Sequence, residues 1–542
     1  MIDFFRRFKI WSQFLLLFVI FGLCTYIIIS RKAETQNGKI ILRVSHLFKE
    51  PSADAAMEAI GQAYSKLHPE VSVIFLKVPG SIFLQWFRTQ LISDTPPDII
   101  QYDLWHRDLR QMVAESFEPI NDLVDRPNPY NQATSLAGVP LRETYVDGLQ
   151  GDEAYFPEMG AYFGLPYRGV TLRVMYNRDL MEQIKGDPDW TPSNWREFIS
   201  LCEQTEDYAR EHQLKLFPIA ADKFGIYLMG NEAAIGVSQK LALRTNYDYD
   251  FTLVEPNLYP TLRYLRGEWN LRSPEIMAGL QMYREVARHM QPGFLQYDVS
   301  DVNFQFLQGH ALMTIAGGPS FSDQAGFSLG AFRIPGITPH DPEYGDYVLG
   351  PYSEAKHAST YAFGIPRKSL QKEVALDFLQ FLTSQPINQS FTDASGEVPV
   401  IREVRATPLA SKFLPHLNGY LYGIMPRGLG DVSTRQVFSE NLYLLFQGED
   451  GVGDFINTLE QKGLMEVAIR DTQAQARRYQ RNLRETDAAF TAQSYLEEAH
   501  PHESRTLDKS ILRQTMFELD FLRITYSLDQ AQQYDETPQP LL

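Results

Sequence analysis

Lys39-Ile-Ile-Leu-Arg-Val-Ser45 is a short β-branched run, and Pro51 to Leu67 behind it sets Ala55, Ala56, Ala59, Ile60, Ala63 and Tyr64 at helical spacing. The pattern then repeats. Val71 to Val78 reads as a second strand, residues 82–93 as a helix with Phe83, Trp86, Phe87 and Leu91 apolar, and Pro97-Asp-Ile-Ile-Gln-Tyr102 as a third strand entering a loop. Strands alternating with helices predict a parallel sheet flanked by helices, an α/β fold. Ligands of such sheets sit beyond the carboxyl ends of the strands, so residues 46–49 and 102–107 are where side chains should meet one.

Working outward, the chain of 542 residues is 44% apolar and 13% aromatic, enough to bury more than one core, so two or more compact units are expected. Lys and Arg number 50 against 67 Asp and Glu, a formal charge of −17. No basic stripe is present to displace counterions from phosphates, which argues against nucleic acid and anionic surfaces and favours a neutral or cationic ligand. Cys24 and Cys202 are the only cysteines. They supply neither an intramolecular disulfide framework nor a cysteine metal site.

Upstream, Ile10 to Ile29 carries no charge and is about 20 residues long, the length that crosses bilayer hydrocarbon as a helix. Arg6, Arg7 and Lys9 precede it and Arg31 and Lys32 follow, a slight bias toward a cytoplasmic N-terminus. Ile27-Ile-Ile-Ser-Arg31 lacks the small-residue cleavage site of a signal peptide, and Phe21-Gly-Leu-Cys24 departs from a lipid-attachment signal. Residues 1–38 are therefore expected to be a cytoplasmic tip and a retained transmembrane anchor, with the bulk of the chain extracytoplasmic, periplasmic or at the cell surface.

Seven segments then recur in the order found in one family. They are Pro97-Asp-Ile-Ile100; Glu118-Pro-Ile-Asn-Asp-Leu123; Gly164-Leu-Pro-Tyr167 with Val174-Met-Tyr-Asn-Arg-Asp-Leu180; Trp190-Thr-Pro-Ser-Asn-Trp-Arg-Glu-Phe198; Phe306 to Pro319; Ala362-Phe-Gly-Ile-Pro-Arg-Lys368; and Ala375 to Leu382. Across about 40–470 the chain resembles the family 1 extracellular solute-binding proteins, the maltose-type sugar receptors of bacterial ABC importers. The resemblance implies a two-lobed α/β clamp of the periplasmic-binding-protein type, class II, that closes on a carbohydrate and delivers it to the permease subunits of an ABC transporter. Lobe one would take 39–120 and 296–352, and lobe two 121–295 and 353–465. Residues 466–542 go beyond the pattern as a helical extension, two amphipathic helices broken at His500-Pro-His502, that packs back on a lobe or recruits a partner.

Sugar pockets combine flat aromatic platforms with a few fixed polar groups. By position in the resemblance, Tyr167 is a stacking aromatic, or else a core tyrosine. Tyr102, Asp103 and Trp105 follow the third strand where the family places an aromatic and a carboxylate, and an Asp there would accept sugar hydroxyls. Gly318-Pro-Ser320-Phe321 falls where relatives carry Gly-Pro-Trp; Ser320 departs from that platform unless Phe321 substitutes. His46 could donate to a hydroxyl, while Arg168 and Arg427 would favour an acidic group on the ligand.

Motifs for serine hydrolases, zinc peptidases, phosphate-binding loops and dinucleotide folds are absent from the sequence. Cys202 reads as a buried apolar residue. Asp450-Gly-Val-Gly-Asp454 lacks the oxygens of a calcium loop. The expectation is a binding protein with no cofactor, not an enzyme; the alternative is an anchored sensory or scaffold protein whose clamp no longer serves transport.

Overall fold

The computed structural model describes residues 39–531, apart from 49, 81, 105–106, 157–158, 246–257, 320–323, 356–357, 425–428, 500–513 and 516–517. The expected anchor at 10–29 lies outside the described residues. Among those described, no helix is long and apolar enough to cross a membrane.

Among the described residues, eleven strands form two main sheets and a ribbon. In chain order they are β1 Ile40–His46, β2 Val71–Lys77, β3 Ile99–Tyr102, β4 Tyr155–Phe156, β5 Ala161–Tyr162, β6 Leu165–Arg168, β7 Arg173–Asn177, β8 Phe217–Ala220, β9 Ala311–Ala316, β10 Leu329–Phe332 and β11 Thr360–Gly364. The first sheet runs β2-β1-β3-β11-β6, the second β10-β7-β9-β8, and β4-β5 make the ribbon. β1 is parallel to β2 and β3, as strand-helix alternation requires, but β11 enters antiparallel between β3 and β6. In the second sheet only β8 and β9 are parallel.

Helix α1, Pro51–Leu67, shows how sequence sets this packing. Proline occupies its first turn, where no intrahelical N–H bond is lost, and Asp54 near the amino end and Lys66 near the carboxyl end are favourable to the helix dipole. Ala53, Ala56, Met57, Ile60 and Tyr64 form its buried face. Gly61 completes that face, because a Cβ there would lie 2.6 Å from the Phe75 ring of β2.

The sheet order redraws the lobes. β6 and β11 belong with residues 39–120, whereas β9 and β10 pair with β7 and β8. The expected division, 39–120 plus 296–352 against 121–295 plus 353–465, is corrected accordingly: the first lobe spans about 39–168 and 360–397, and the second about 173–353 with the chain beyond 414. Hydrogen-bond partners decide which sheet a strand joins, and hydrophobic pattern does not reveal them.

The second lobe adds helices α2 Lys223–Val237, α3 Pro274–Ala287, α4 Val432–Asn441, α5 Gly451–Gln461 and α6 Leu464–Ala499. The extension packs back on this lobe. Leu464 and Ala468 are buried with Phe438 and Phe455, and in segment 518–531 Ile524 is buried beside Leu258 and Leu262. Asp450 proves to be a helix cap, accepting the Gly453 N–H, and Cys202 is fully buried.

Candidate functional site

Among the described residues the chain passes between the sheets three times, at 169–172, at 353–355 with 358–359, and at 397–414, and the three crossings are tied to one another. Gly169 donates its N–H to Val398 O at 2.9 Å, and the Thr171 hydroxyl donates to Phe413 O. Arg173, at the start of β7, is almost fully buried. It donates two bonds to Glu354, at 2.7 and 2.9 Å, and others to Lys412 O and Leu414 O. Glu354 also accepts the His416 N–H at 2.7 Å. Burial works against the Glu354 carboxylate, yet the guanidinium and this N–H hold it below its ordinary value.

On the first lobe a second charged knot faces the gap. Arg168, the last residue of β6, donates to Glu397 at 2.6 Å and lies 3.6 Å from Glu50. Its guanidinium is sandwiched between aromatic faces, 4.4 Å from the Tyr361 ring centroid and 5.1 Å from that of Phe48. Burial opposes its charge, and Glu397, Tyr361 and Glu50 more than compensate. Tyr361 adopts φ +57°, a left-handed conformation rare for an aromatic residue. The buried Glu153 carboxyl holds it there by accepting the N–H groups of Tyr361, Ala362 and Leu104. Burial and the neighbouring Asp103 push the Glu153 carboxyl well above the usual range.

The second lobe meets this knot through the loop after β9. A Cβ on Gly318 would stand 3.8 Å from Glu397 Oε2, and one on Gly317 3.0 Å from Val170. Helix α2 begins where β8 ends. Its Phe224 is 47% exposed, with the ring 6.2 Å from that of Tyr227. Further along α2, Glu232 faces Arg333, Glu354 and Tyr422. Tyr352 and Tyr422 meet edge to face at 4.7 Å, and Arg333 lies 4.2 Å over the Tyr352 ring.

Arg168 and Gly318 meet at Glu397 where the lobes join, and Asp103 is a charged neighbour of Tyr361 and Glu153, but Arg168 is paired and offers no free charge to an acidic ligand. Tyr167 is corrected to a core residue: it is fully buried, packed 4.6 Å from Phe391, because strand alternation that turns Arg168 to the gap turns Tyr167 inward. Tyr102 is likewise buried, donating to Glu153 O at 2.9 Å. His46 is 1% exposed between Phe48 and Phe75, its Nδ1 accepting the Phe48 N–H. Burial pulls its pKa down to about 4, so it is a neutral core imidazole. Trp105, Ser320, Phe321 and Arg427 lie outside the described residues. Sequence reasoning missed Phe48, Tyr361, Glu397, Phe224 and Glu232. Phe48 stood within the loop predicted after β1 and Tyr361 one residue before a quoted segment; Glu397, Phe224 and Glu232 gave no local signal.

Comparison with known proteins follows this geometry. A sequence profile described as bacterial extracellular solute-binding protein matches residues 59–414. None of the curated proteins matches the chain. Among solved structures, a probable secreted solute-binding lipoprotein from Streptomyces coelicolor superposes with a TM-score of 0.55 at 14% identity, covering 79% of this chain and 98% of that one. RafE in complex with raffinose gives 0.53 at 17% identity, covering 79% and 100%. A chitin oligosaccharide binding protein gives 0.52 at 15%, covering 79% and 99%. At these identities the likeness establishes the fold.

Proposed function

The chain belongs to the bacterial extracellular solute-binding proteins, and from that premise we propose that it captures a carbohydrate, an oligosaccharide by preference, between its lobes and delivers it to an ABC importer while tethered through residues 10–29. The observation that carries this reading is the partly exposed Tyr361 ring, backed by the Arg168 guanidinium and bordered by Glu50, Asp103 and Glu397. Flat rings bordered by fixed carboxylates suit the apolar face and hydroxyl edge of a sugar. Raffinose and chitin oligosaccharides, bound by proteins of the same fold, are consistent with it. No covalent step is involved. Binding energy is spent on shifting an open–closed equilibrium about the three crossings.

The test is thermal unfolding of the full-length chain in mild detergent against mono- and oligosaccharides, amino acids and polyamines. A saccharide should raise the melting temperature of the parent by mass action and leave a Tyr361→Ala variant unmoved. A rise with amino acids alone would overturn the carbohydrate assignment, and no rise across the panel would favour the sensory or scaffold alternative.

A further inference from the structure

Helix α2 is apolar almost all round. From Gly225 to Gln239, among the described residues, only Tyr227 and Glu232 escape full burial. A helix wedged between a sheet and another helix has no need of a carboxylate, and such residues are seldom covered unless paired. Yet no described residue hydrogen-bonds or ion-pairs with Glu232. Its direction is fixed by its neighbours. Gly230 presses on the Tyr283 ring of α3, and Asn231 accepts the Tyr283 hydroxyl, so this face of α2 is committed to α3. Glu232 lies one turn before Ile235 and nearly two before Ser238, on the face of α2 against which Gly423 and Ile424 pack, with Tyr422, Arg333 and Glu354 as its charged and polar neighbours.

The register places that spot at the gap. Arg173 pairs with Ala316, the last residue of β9, and Arg333 follows directly on Phe332, which pairs with Val174. Both arginines thus stand at the edge from which Gly317 and Gly318 reach the first lobe. Their charges are spoken for. Arg173 is held by Glu354, Arg333 lies 3.7 Å from the same carboxylate and donates to Tyr352 O, and Arg168 across the gap is held by Glu397. An acidic solute would find no open guanidinium among these three. A solute bringing hydrogen-bond donors would find a carboxyl beside Tyr422 that has no hydrogen-bond partner among the described residues. Burial and Glu354 push the Glu232 pKa up to about 8 against the pull of Arg333 and Arg173.

We infer that Glu232 is a specificity-determining residue of the second lobe, taking a hydrogen-bond-donating group of the solute, a sugar hydroxyl or an ammonium, and selecting against acidic saccharides. This rests on the carbohydrate reading above and deepens it. The test is direct binding by calorimetry of β-linked tetrasaccharides of glucose, glucosamine and glucuronic acid, with spermidine as a donor without a sugar. The full-length parent is compared with Glu232→Ala and the near-isosteric Glu232→Gln, and circular dichroism monitors folding. The neutral or the aminated tetramer should bind and the acidic one should not, and Glu232→Ala should weaken binding at least tenfold. Glu232→Gln separates the two donors: it holds hydroxyl-directed binding within a few-fold and loses ammonium-directed binding as Ala does. Equal binding of the acidic tetramer, or an affinity within twofold in Glu232→Ala, overturns the assignment. Spermidine binding that depends on Glu232 without any saccharide binding would sink the carbohydrate reading and keep the role of Glu232; no binding by any probe would sink both.

Discussion

Tyr361 shows most sharply what a single residue contributes here. A tyrosine at φ +57° costs on the order of 1–3 kcal/mol relative to a relaxed backbone, and it persists because Glu153 accepts its N–H and Arg168 lies against its ring. Glycine at this position should therefore relieve strain while removing the platform. Tyr361→Gly is expected to melt within a few degrees of the parent and to lose the saccharide-dependent rise in melting temperature, whereas Tyr361→Phe should keep both. A Gly variant that still responds fully to saccharide would show that the ring is not part of the binding surface. The sequence pointed to Tyr167 instead because alternation in β6 separates residues 167 and 168 without saying which faces the core. Tyr361 itself was illegible for a different reason: a left-handed backbone is announced by glycine or asparagine, and an aromatic residue gives no such signal.

Among elements, the crossings matter more than either sheet, since the proposed closure would turn on them. Arg173 and Glu354 join the first crossing to the second, and through Lys412 O, Leu414 O and the His416 N–H both join the third. Removing one member leaves the other buried without its counter-charge, a loss of about 3–5 kcal/mol. Glu354→Gln should consequently lower the urea midpoint of unfolding strongly. The double variant Arg173→Met, Glu354→Met should recover much of it, since well-packed apolar replacements of a buried pair are often neutral. A Gln variant with the parental midpoint would show the pair to be dispensable. The elements that these crossings connect were largely legible: α1, β1, β2 and β3 lie within a residue or two of the stretches read from periodicity. Their partners were not. β11 slips antiparallel between β3 and β6 from some 250 residues downstream of β3, and sheet membership of that kind is a long-range fact that no local pattern records.

At the scale of the whole molecule, the question is whether the C-terminal extension is an appendage or part of the clamp, and the packing decides it. Asp471 of α6 accepts the N–H groups of Asp431 and Thr434 and the Thr434 hydroxyl, capping the start of α4 from another helix. These bonds hold its carboxylate below the ordinary range against the opposing effect of burial. Arg478 pairs with Asp431 one helix end away. Leu464 and Ala468 of α6 close the same apolar cluster as Phe438, Phe455 and Leu459. Deleting residues 464–542 would therefore remove a helix cap and open a core, not trim a tail. The shortened chain should melt in two steps in differential scanning calorimetry, with the second lobe unfolding at lower temperature and the first, whose core lies in another cluster, near its original midpoint. Solute binding should fail with the second lobe, because Phe224 and Glu232 belong to it. A shortened chain that melts as one unit at the parental temperature and still binds saccharide would make the extension a separable module, and that result would turn the reading from a transport receptor toward a scaffold with a partner of its own.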